Sequence, residues 1–476
     1  MMKPPFKKIL IANRGEIAVR VIRACHELGI RTVAVHSTAD KDALHVKLAT
    51  ESVCIGPALA KESYLNKEKL VNAAVSSGAD AIHPGYGFLA ENAEFAALVR
   101  GAGLVFIGPS PEVILLMGDK DRARKKAIEV GVPVVPGLEA GTSVEGIKKF
   151  ASEIGYPVIV KAVAGGSGRG MRLVECADEL EAKIAEASKE AEGAFGNGVV
   201  FVEKYVARPR HIEIQVFGDC YGNAVHFGER ECSLQRRHQK IVEESPAPRF
   251  HSGLRRRMLD AALLLTKSVG YEGAGTLEFL VEGGEAEDSP FYFLEMNTRI
   301  QVEHTVTEEV MGVDLVRLQL EVAAGATLRE ELSKLEPRGH AFQFRVYAEN
   351  PSEGFKPQTG RVAYMSRNGG PGVREDGWAE AGTKISAFYD SLLSKIVVWG
   401  ETRDAAIARS RRVLQECVVE GIANTLPFHR WLVQQEAFLR GDLYVRWIDE
   451  FYRGEMEGPR SVGPLVLPPL VEQGTQ

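Results

Sequence analysis

In the first part of the chain, strand-like and helix-like segments take turns. "KKILIAN" is a short apolar run suited to a buried strand, "GEIAVRVIRACHELG" repeats its apolar residues at helical spacing and stops at Gly29, and "RTVAVHS" is a second strand-like run. The rhythm returns in "ADAIHPG", "NAEFAALVRGAG" and "LVFIGPS". Strands joined in this way through helices lie parallel, so the segment predicts a parallel sheet wrapped by helices. The loop after the first strand, "ANRGE", carries one glycine where a dinucleotide site needs Gly-x-Gly-x-x-Gly, so a structural βαβ unit is the better reading.

Beyond Pro111 the pattern changes. A helical stretch to Ser152 is broken by "GVPVVPG". Two strands, "PVIVKA" and "MRLV", flank a glycine-rich loop, and a helix over roughly 177–192 follows. "GVVFVEKYV", "HIEIQVFGD" and "NAVHFGER" alternate as strands do, and a helix then leads into a hairpin, "GTLEFLVEGGEAEDSPFYFLEMN". A boundary is expected at 335–339. After it, "HAFQFRVYAENP", "GRVAYMS" and "SKIVVWG" predict a smaller antiparallel domain closed by a helix from Arg403. The last twenty residues are proline-rich and read as a tail or docking strap.

Composition excludes several classes. Of 476 residues, 45% are hydrophobic and 26% charged, as in a folded globular chain, and the net charge of -6 gives no pull toward nucleic acid or anionic membrane. No apolar run approaches a membrane span, and "MMKPPFKKILIANRG" lacks the features of a secretory signal. Six cysteines without a CxxC pair point to neither a zinc ribbon nor a disulfide framework. The expectation is a reduced, soluble, cytoplasmic protein.

Three motifs carry candidate chemistry. In "FLEMNTRIQVEHT", Glu295, Asn297, Arg299, Gln301 and Glu303 alternate with Met296, Thr298, Ile300 and Val302, so an extended chain would project the five polar groups to one side. If Gly283 faces Pro290 across the preceding turn, Glu278 lies opposite Glu295. Leu277, Phe279 and Val281 then meet Met296, Leu294 and Tyr292 on the other face. Facing carboxylates repel, and a hard divalent cation, with Asn297 as a further oxygen ligand, would relieve them. Neutralisation by Arg299, or a register shifted by one, is the alternative. In "KAVAGGSGRGMRLV", glycines could bring backbone N–H groups to phosphates, and Lys161 precedes them, but the loop joins two strands and lacks the Walker ending. In "ERECSLQRRHQKIVEESPAP", Arg236, Arg237, His238 and Lys240 lie among Glu229, Glu231, Glu243 and Glu244. Such a mixture is usually a solvated surface; the functional reading is an anion site.

Taken in order, these motifs resemble the ATP-grasp fold. "ILIANRGEIAVRVIRAC", "HPGYGFLAEN", "GDK", "GGSGRGM", "RHIEIQVFGD", "CSLQRRHQKIVEESPAP" and "FLEMNTRIQVEHTVTE" narrow the resemblance to the biotin carboxylase component of biotin-dependent carboxylases, over about 6–447. The resemblance implies an N-terminal α/β domain with a Rossmann-like parallel sheet (1–115). An ATP-grasp domain with a mobile lid would follow (116–338, lid about 134–205), then a C-terminal antiparallel α+β domain (339–450) and the tail (451–476). It implies ATP and bicarbonate as substrates, carboxyphosphate as intermediate, two Mg²⁺ or Mn²⁺ ions, and biotin as the group carboxylated.

Carried over residue by residue, the resemblance puts Lys120, Lys161 and His211 on the nucleotide. It puts Gly165, Gly166, Ser167 and Gly168 over its phosphates. Glu203, Lys204, Val206 and Leu280 fall around the adenine, and Gln235 and His238 at the ribose and phosphates. Glu278, Glu295 and Asn297 fall on metal. Lys240, Arg299, Gln301 and the backbone of Val302 would hold bicarbonate, with Glu303 as general base. Tyr86 and Arg345 would meet biotin, Arg345 opposing its enolate-like anion; an ordinary ion pair with Glu349 or another acid is the plain alternative for Arg345. "AGGSGRG" departs from an unbroken glycine run. "YDSLLSK" and "FRVYAEN" lean toward acyl-CoA and 2-oxoacid carboxylases. No lysine lies between two methionines, so biotin is expected on a separate carboxyl carrier protein. A further expected partner is a carboxyltransferase subunit, and the expected resting assembly is a homodimer. The rival classes are another ATP-grasp carboxylate or carbamoyl-phosphate ligase, and a non-catalytic nucleotide-binding subunit.

Overall fold

The computed structural model describes residues 6–138, 141–162, 171–195, 198–237 and 239–454. The N-terminal segment forms a five-stranded parallel sheet in the order Glu51–Gly56, Arg31–Ser37, Lys8–Ile11, Ala81–His83, Val105–Phe106. Both faces are covered, which is why Ile9, Leu10 and Ile11 are all buried without alternation.

Val158–Ala162 lies between Met171–Val174 and Val200–Lys204 in a small antiparallel sheet, over which the helix Leu180–Phe195 packs. The expected glycine-rich connection, including Gly165, Gly166, Ser167 and Gly168, lies outside the described residues.

The rest is organised by one eight-stranded sheet. Its order is Phe291–Asn297, Gly273–Glu282, Pro209–Gly218, Ala224–Arg236, Gln239–Ser245, His340–Tyr347, Leu392–Gly400, Val373–Gly377. The strand that carries Arg345 therefore extends the sheet that carries Lys240: Glu243 pairs with Gln343 and Val242 with Phe344. The sheet continues across the chain boundary expected at 335–339.

Period-two alternation sorts the faces of the hairpin half. Ile212, Ile214, Val216, Leu277, Phe279 and Val281 turn to an apolar core shared with Leu254, Met258, Ala262 and Leu265 of the helix Ser252–Ser268. His211, Glu213, Gln215, Thr276 and Glu278 turn the other way and are also buried.

The hairpin corrects one expectation and keeps another. Glu278 does face Glu295, and Leu277 faces Met296. At the turn, however, Glu282 donates its N–H to Pro290, one residue away from the assumed register. Leu294 is an extra residue between the two registers, so Phe279 faces Phe293, and Val281 faces Phe291. The bulge leaves Leu294 exposed and moves Tyr292 to the polar face opposite Leu280.

Three buried histidines predict an acid-side loss of stability. His45, His83 and His429 are each pushed down from 6.5 to about 4 by burial. The unfolded chain therefore takes protons that the folded chain refuses. Their contribution is present above pH 6.5 and is lost as pH falls, by about 2 kcal/mol each at pH 5. Thermal midpoints measured from pH 7 to pH 5 should fall, and should fall less for His45→Gln.

Candidate active site

Four neighbouring strands place Glu295, Glu278, Glu213 and Arg230 directly opposite one another in a single cross-strand row. Asn297, Thr276 and Gln215 form the row on one side, and Tyr292, Leu280 and His211 the row on the other. Three adjoining carboxylates, two of them buried, are unstable without compensation. Arg230 compensates from the end of the row. It is fully buried and its five N–H groups all find acceptors: Glu213, Gln215 at 2.7 Å, Thr307 at 2.9 Å, Thr276 at 3.2 Å and Gln301 at 2.7 Å.

Lys240 compensates from above. Its ammonium reaches Glu213, Glu278 Oε1 at 2.8 Å and Glu303 Oε1 at 2.8 Å, one carboxylate for each N–H. A second bulge makes this possible. Leu234 pairs with Val242 and Gln235 with Lys240, so Ile241 is an extra residue. Without it, Lys240 and Glu243 would point to opposite faces.

Glu303 does not sit on a strand. The extended chain ends at Asn297, and the alternation expected through Glu303 does not continue. A turn instead delivers Gln301 and Glu303 to the site, and Glu303 occupies the residue before the helix His304–Met311. Neutral His304 donates its Nδ1–H to the Gln301 carbonyl (2.7 Å) from beneath this turn. Glu303 Oε2 accepts from Arg345 at 2.9 Å, so one carboxylate bridges Lys240 and Arg345. Arg345 also pairs with Glu243 and lies 3.3 Å from the Tyr347 hydroxyl. Its partner is not Glu349, which binds Arg236.

Electrostatics fix the protonation states. Burial works against an ionised Glu303, yet Lys240, then Arg345 and Arg230, outweigh it and hold the carboxyl well below the usual range. Burial likewise opposes an ionised Glu278, and Lys240 and His211 hold it down. For Lys240, burial is outweighed by Glu213, Glu303 and Glu278, which keep the ammonium charged. Glu243 goes the other way: burial raises it despite Arg345.

The remaining expected residues surround this centre. His211 Nε2 lies 2.9 Å from Glu278, and its Nδ1 is 2.7 Å from Gln235. Gln301 donates to Glu278 at 2.8 Å. Arg299 binds Glu91 and Asn297, each at 2.8 Å, and the Ile300 carbonyl at 3.1 Å, so protein acceptors take three of its five N–H groups. Lys120 is exposed at the start of the helix Lys120–Glu129, 3.5 Å from Glu295. Lys161 pairs with Glu203, and Lys204 binds Glu282 at 2.6 Å and Tyr292 at 3.2 Å. Val206 is buried and Leu280 half-buried nearby. Tyr86 sits apart from these, with its hydroxyl on Glu16. His238 lies outside the described residues.

One expectation needs correction, and one group of residues is added. Glu229, Glu231, Glu243 and Glu244 are buried, so the acids around the basic segment are not a solvated surface. Glu213, Arg230 and Glu91 also belong to the site; Arg230 lies in the third motif without being singled out there, and Glu213 and Glu91 lie outside all three. A signal for Glu213 is present in the sequence: His211, Glu213 and Gln215 alternate in "HIEIQVFGD" just as Glu278 and Thr276 do in the hairpin.

Comparison with known proteins gives this arrangement a family. Residues 5–114 match the biotin carboxylase N-terminal domain, 119–331 the ATP-binding domain of the carbamoyl-phosphate synthase L chain, and 343–450 the biotin carboxylase C-terminal domain. Biotin carboxylase 1 of Bacillus subtilis (strain 168) is 51% identical over 446 residues, 94% of this chain and 98% of the relative. A pyruvate carboxylase subunit of Methanothermobacter thermautotrophicus is 48% identical over 450 residues, 94% of this chain and 91% of the relative. A crystal structure of the biotin carboxylase domain dimer of Hydrogenobacter thermophilus 2-oxoglutarate carboxylase, in complex with MgADP, ADP and bicarbonate, is similar with a TM-score of 0.83. It is 44% identical, covering 94% of this chain and 98% of that one. The fold is thus that of an ATP-grasp ligase, an ATP-dependent enzyme. The chain belongs to the biotin carboxylase family. Among the described residues, no helix is long and apolar enough to cross a membrane.

Glu213 balances two buried cations, so Glu213→Ala should destabilise the protein by about 3–5 kcal/mol, the usual consequence of leaving a buried charge unpaired. Urea unfolding of the variant beside the parent checks this.

Proposed function

We propose that this protein carboxylates biotin held on a separate carrier protein, using ATP and bicarbonate, as the first half-reaction of a multisubunit carboxylase. One observation carries the reading: Glu303 is a buried, ionised carboxylate with one oxygen on Lys240 and the other on Arg345. A base is thereby set between a cation suited to a small oxyanion and a guanidinium suited to an enolate-like one.

The nucleotide would lie along the polar face of the hairpin. Lys120, Lys161 and His211 would face its phosphates, and Gly165, Gly166, Ser167 and Gly168 would cover them. Glu203, Lys204, Val206 and Leu280 would border the adenine, with Gln235 and His238 toward the ribose. Glu278, Glu295 and Asn297 fit the Mg²⁺ or Mn²⁺ ions that accompany ATP: facing carboxylates and an amide form a hard oxygen set. Glu278 Oε1 already gathers N–H groups from Lys240, Asn297 and Gln301, which supports its use as an anchor for positive charge. Asn297 would turn its amide over to offer oxygen, since its Nδ2 faces Glu278. When bound, the ions offset charge on the triphosphate.

Bicarbonate would be held by Arg299, Gln301, the backbone of Val302 and Lys240. All three N–H groups of Lys240 rest on carboxylates, one of them on Glu303, so an arriving anion competes with Glu213, Glu278 and Glu303 for them. Taking the N–H that Glu303 holds raises the basicity of Glu303. The carboxylate then removes the bicarbonate proton as the bicarbonate oxygen bonds to the γ-phosphorus and ADP leaves. The resulting carboxyphosphate breaks into carbon dioxide and phosphate. Phosphate takes the biotin N–H proton, and the ureido nitrogen bonds to carbon dioxide. Arg345 stabilises the negative charge that develops on the ureido oxygen. The proposal is completed by a homodimeric state, a carboxyl carrier protein and a carboxyltransferase subunit. The relative named for a pyruvate carboxylase and the related domain dimer support a role within such a complex. Cytoplasmic residence fits the same reading.

Two variants separate the half-steps. Glu303→Gln should lower both bicarbonate-dependent ATP cleavage and biotin carboxylation, each by at least about 100-fold. Arg345→Gln should lower carboxylation by a similar factor and leave most of the ATP cleavage. ADP release and incorporation of labelled bicarbonate into biotin measure the two. Retained carboxylation in the first variant, or equal losses in the second, contradicts the assignment.

A further inference from the structure

Lys395 is a fully buried cation that the mechanism above does not use. It lies on the strand Leu392–Gly400, directly opposite Arg345 on one side and Asp376 on the other. Its ammonium donates to the Val302 carbonyl at 2.9 Å and sits 3.1 Å from Glu16 Oε1. Glu16, in the first turn of the helix Gly15–Glu27, is also buried and accepts the Tyr86 hydroxyl; its other oxygen has no protein partner among the described residues. Three parts of the chain meet here: the N-terminal layer through Glu16 and Tyr86, the turn before Glu303, and the strand beside the one that carries Arg345.

We propose that Lys395 and Glu16 are positioning residues that hold the Val302–Glu303 turn and the Tyr86 hydroxyl in one rigid frame, coupling the bicarbonate side of the site to the biotin side. A buried ammonium beside a second cation, Arg345, is costly unless acceptors are fixed around it. The Val302 carbonyl and Glu16 supply two of them. Conversely, loss of Lys395 leaves that carbonyl and the Glu16 carboxylate buried with fewer donors, and both must shift to find others. A shift of the turn moves Glu303 relative to Lys240 and Arg345. A shift of Glu16 frees the Tyr86 hydroxyl. Glu16 also sets what Tyr86 can recognise. Burial, and then Glu16, keep the phenol protonated, and its proton is committed to the carboxylate. What remains on the phenol oxygen is acceptor capacity, suited to an N–H of a ureido ring and unsuited to a carbonyl or carboxylate.

The inference rests on the biotin carboxylation reading, and the full-length protein with free biotin tests the two separately. In Lys395→Met, the KM values for bicarbonate and for biotin should each rise about tenfold or more, while that for ATP moves far less, because the nucleotide residues lie elsewhere. Glu16→Gln should raise the biotin KM more than the bicarbonate KM. The double variant should lose less than the product of the single losses, since its members share one ion pair. A general loss of structure would move all three constants together and would not produce this split. Parallel rises for ATP, unchanged KM values, or fully multiplicative losses overturn the coupling. If Lys395→Met does not fold, Glu16→Gln alone decides: equal effects on biotin and bicarbonate overturn it. A parent protein that neither cleaves ATP with bicarbonate nor carboxylates biotin overturns the functional reading itself.

Discussion

The structure depends on one ammonium. Lys240 touches Glu213, Glu278 and Glu303, which come from a central strand, a hairpin strand and a turn before a helix. For Glu278 and Glu303, Lys240 is the strongest of the groups that hold the buried carboxyl ionised. Lys240 in turn cannot stay charged without them. The arrangement is therefore cooperative: each part is stable only if the others are in place. Two irregularities in the sheet serve it. The Ile241 bulge turns Lys240 onto the acidic face, and the Leu294 bulge sets Glu295 opposite Glu278 while the apolar side of the hairpin keeps its aromatic packing.

A second consequence concerns how the halves of the site are joined. Arg345 belongs to the C-terminal part of the chain, yet its strand hydrogen-bonds to the strand of Lys240. A continuous ladder fixes the distance between them far better than a packed interface would, because backbone hydrogen bonds set register residue by residue. Glu303 can then span the gap with its two oxygens. A hinge between Lys240 and Arg345 would break that bridge, so whatever moves during turnover must lie elsewhere.

Much of this is legible in the sequence, and the exceptions have physical causes. The parallel layer follows from its strand–helix rhythm, and the opposition of Glu278 and Glu295 from alternation about a turn. The neighbours of Phe279 and Val281 differ from the expected ones because a bulge adds a residue without changing composition, and nothing in "FYFLEMN" marks Leu294 as the extra one. Glu303 reaches the site by a turn where the pattern implies an extended chain; alternation of polar residues fits both. The acids flanking Lys240 look solvated in the sequence because charge alone carries no depth. Burial comes from the strands packed on either side, the neighbouring one that contains Glu213 and the sequence-distant one that contains Arg345. Lys395 and Glu16 have no signal at all: each lies in an ordinary strand or helix pattern, and only the fold brings them together.

The site contains a tension that its own geometry resolves. Among the deeply buried groups around Lys240 are four acidic side chains (Glu213, Glu243, Glu278 and Glu303) and three basic ones (Lys240, Arg230 and Arg345). The cations nevertheless concentrate on Glu303, which binds two of them directly and is held well below the usual carboxylate range. A carboxylate so held is dependably ionised but a weak base. An oxyanion that draws N–H groups of Lys240 toward itself reverses this, because the positive charge that lowered Glu303 is then shared with the ligand. Basicity thus rises only when there is an acid nearby to be deprotonated. In the proposed reaction the same exchange would leave Arg345 with one weakened partner, so its guanidinium would be free to oppose a new negative charge as the first step ends. Under the proposed reaction, a buried cluster whose acids share their cations in this way would serve two consecutive anionic steps, because each arriving anion takes over part of the positive charge.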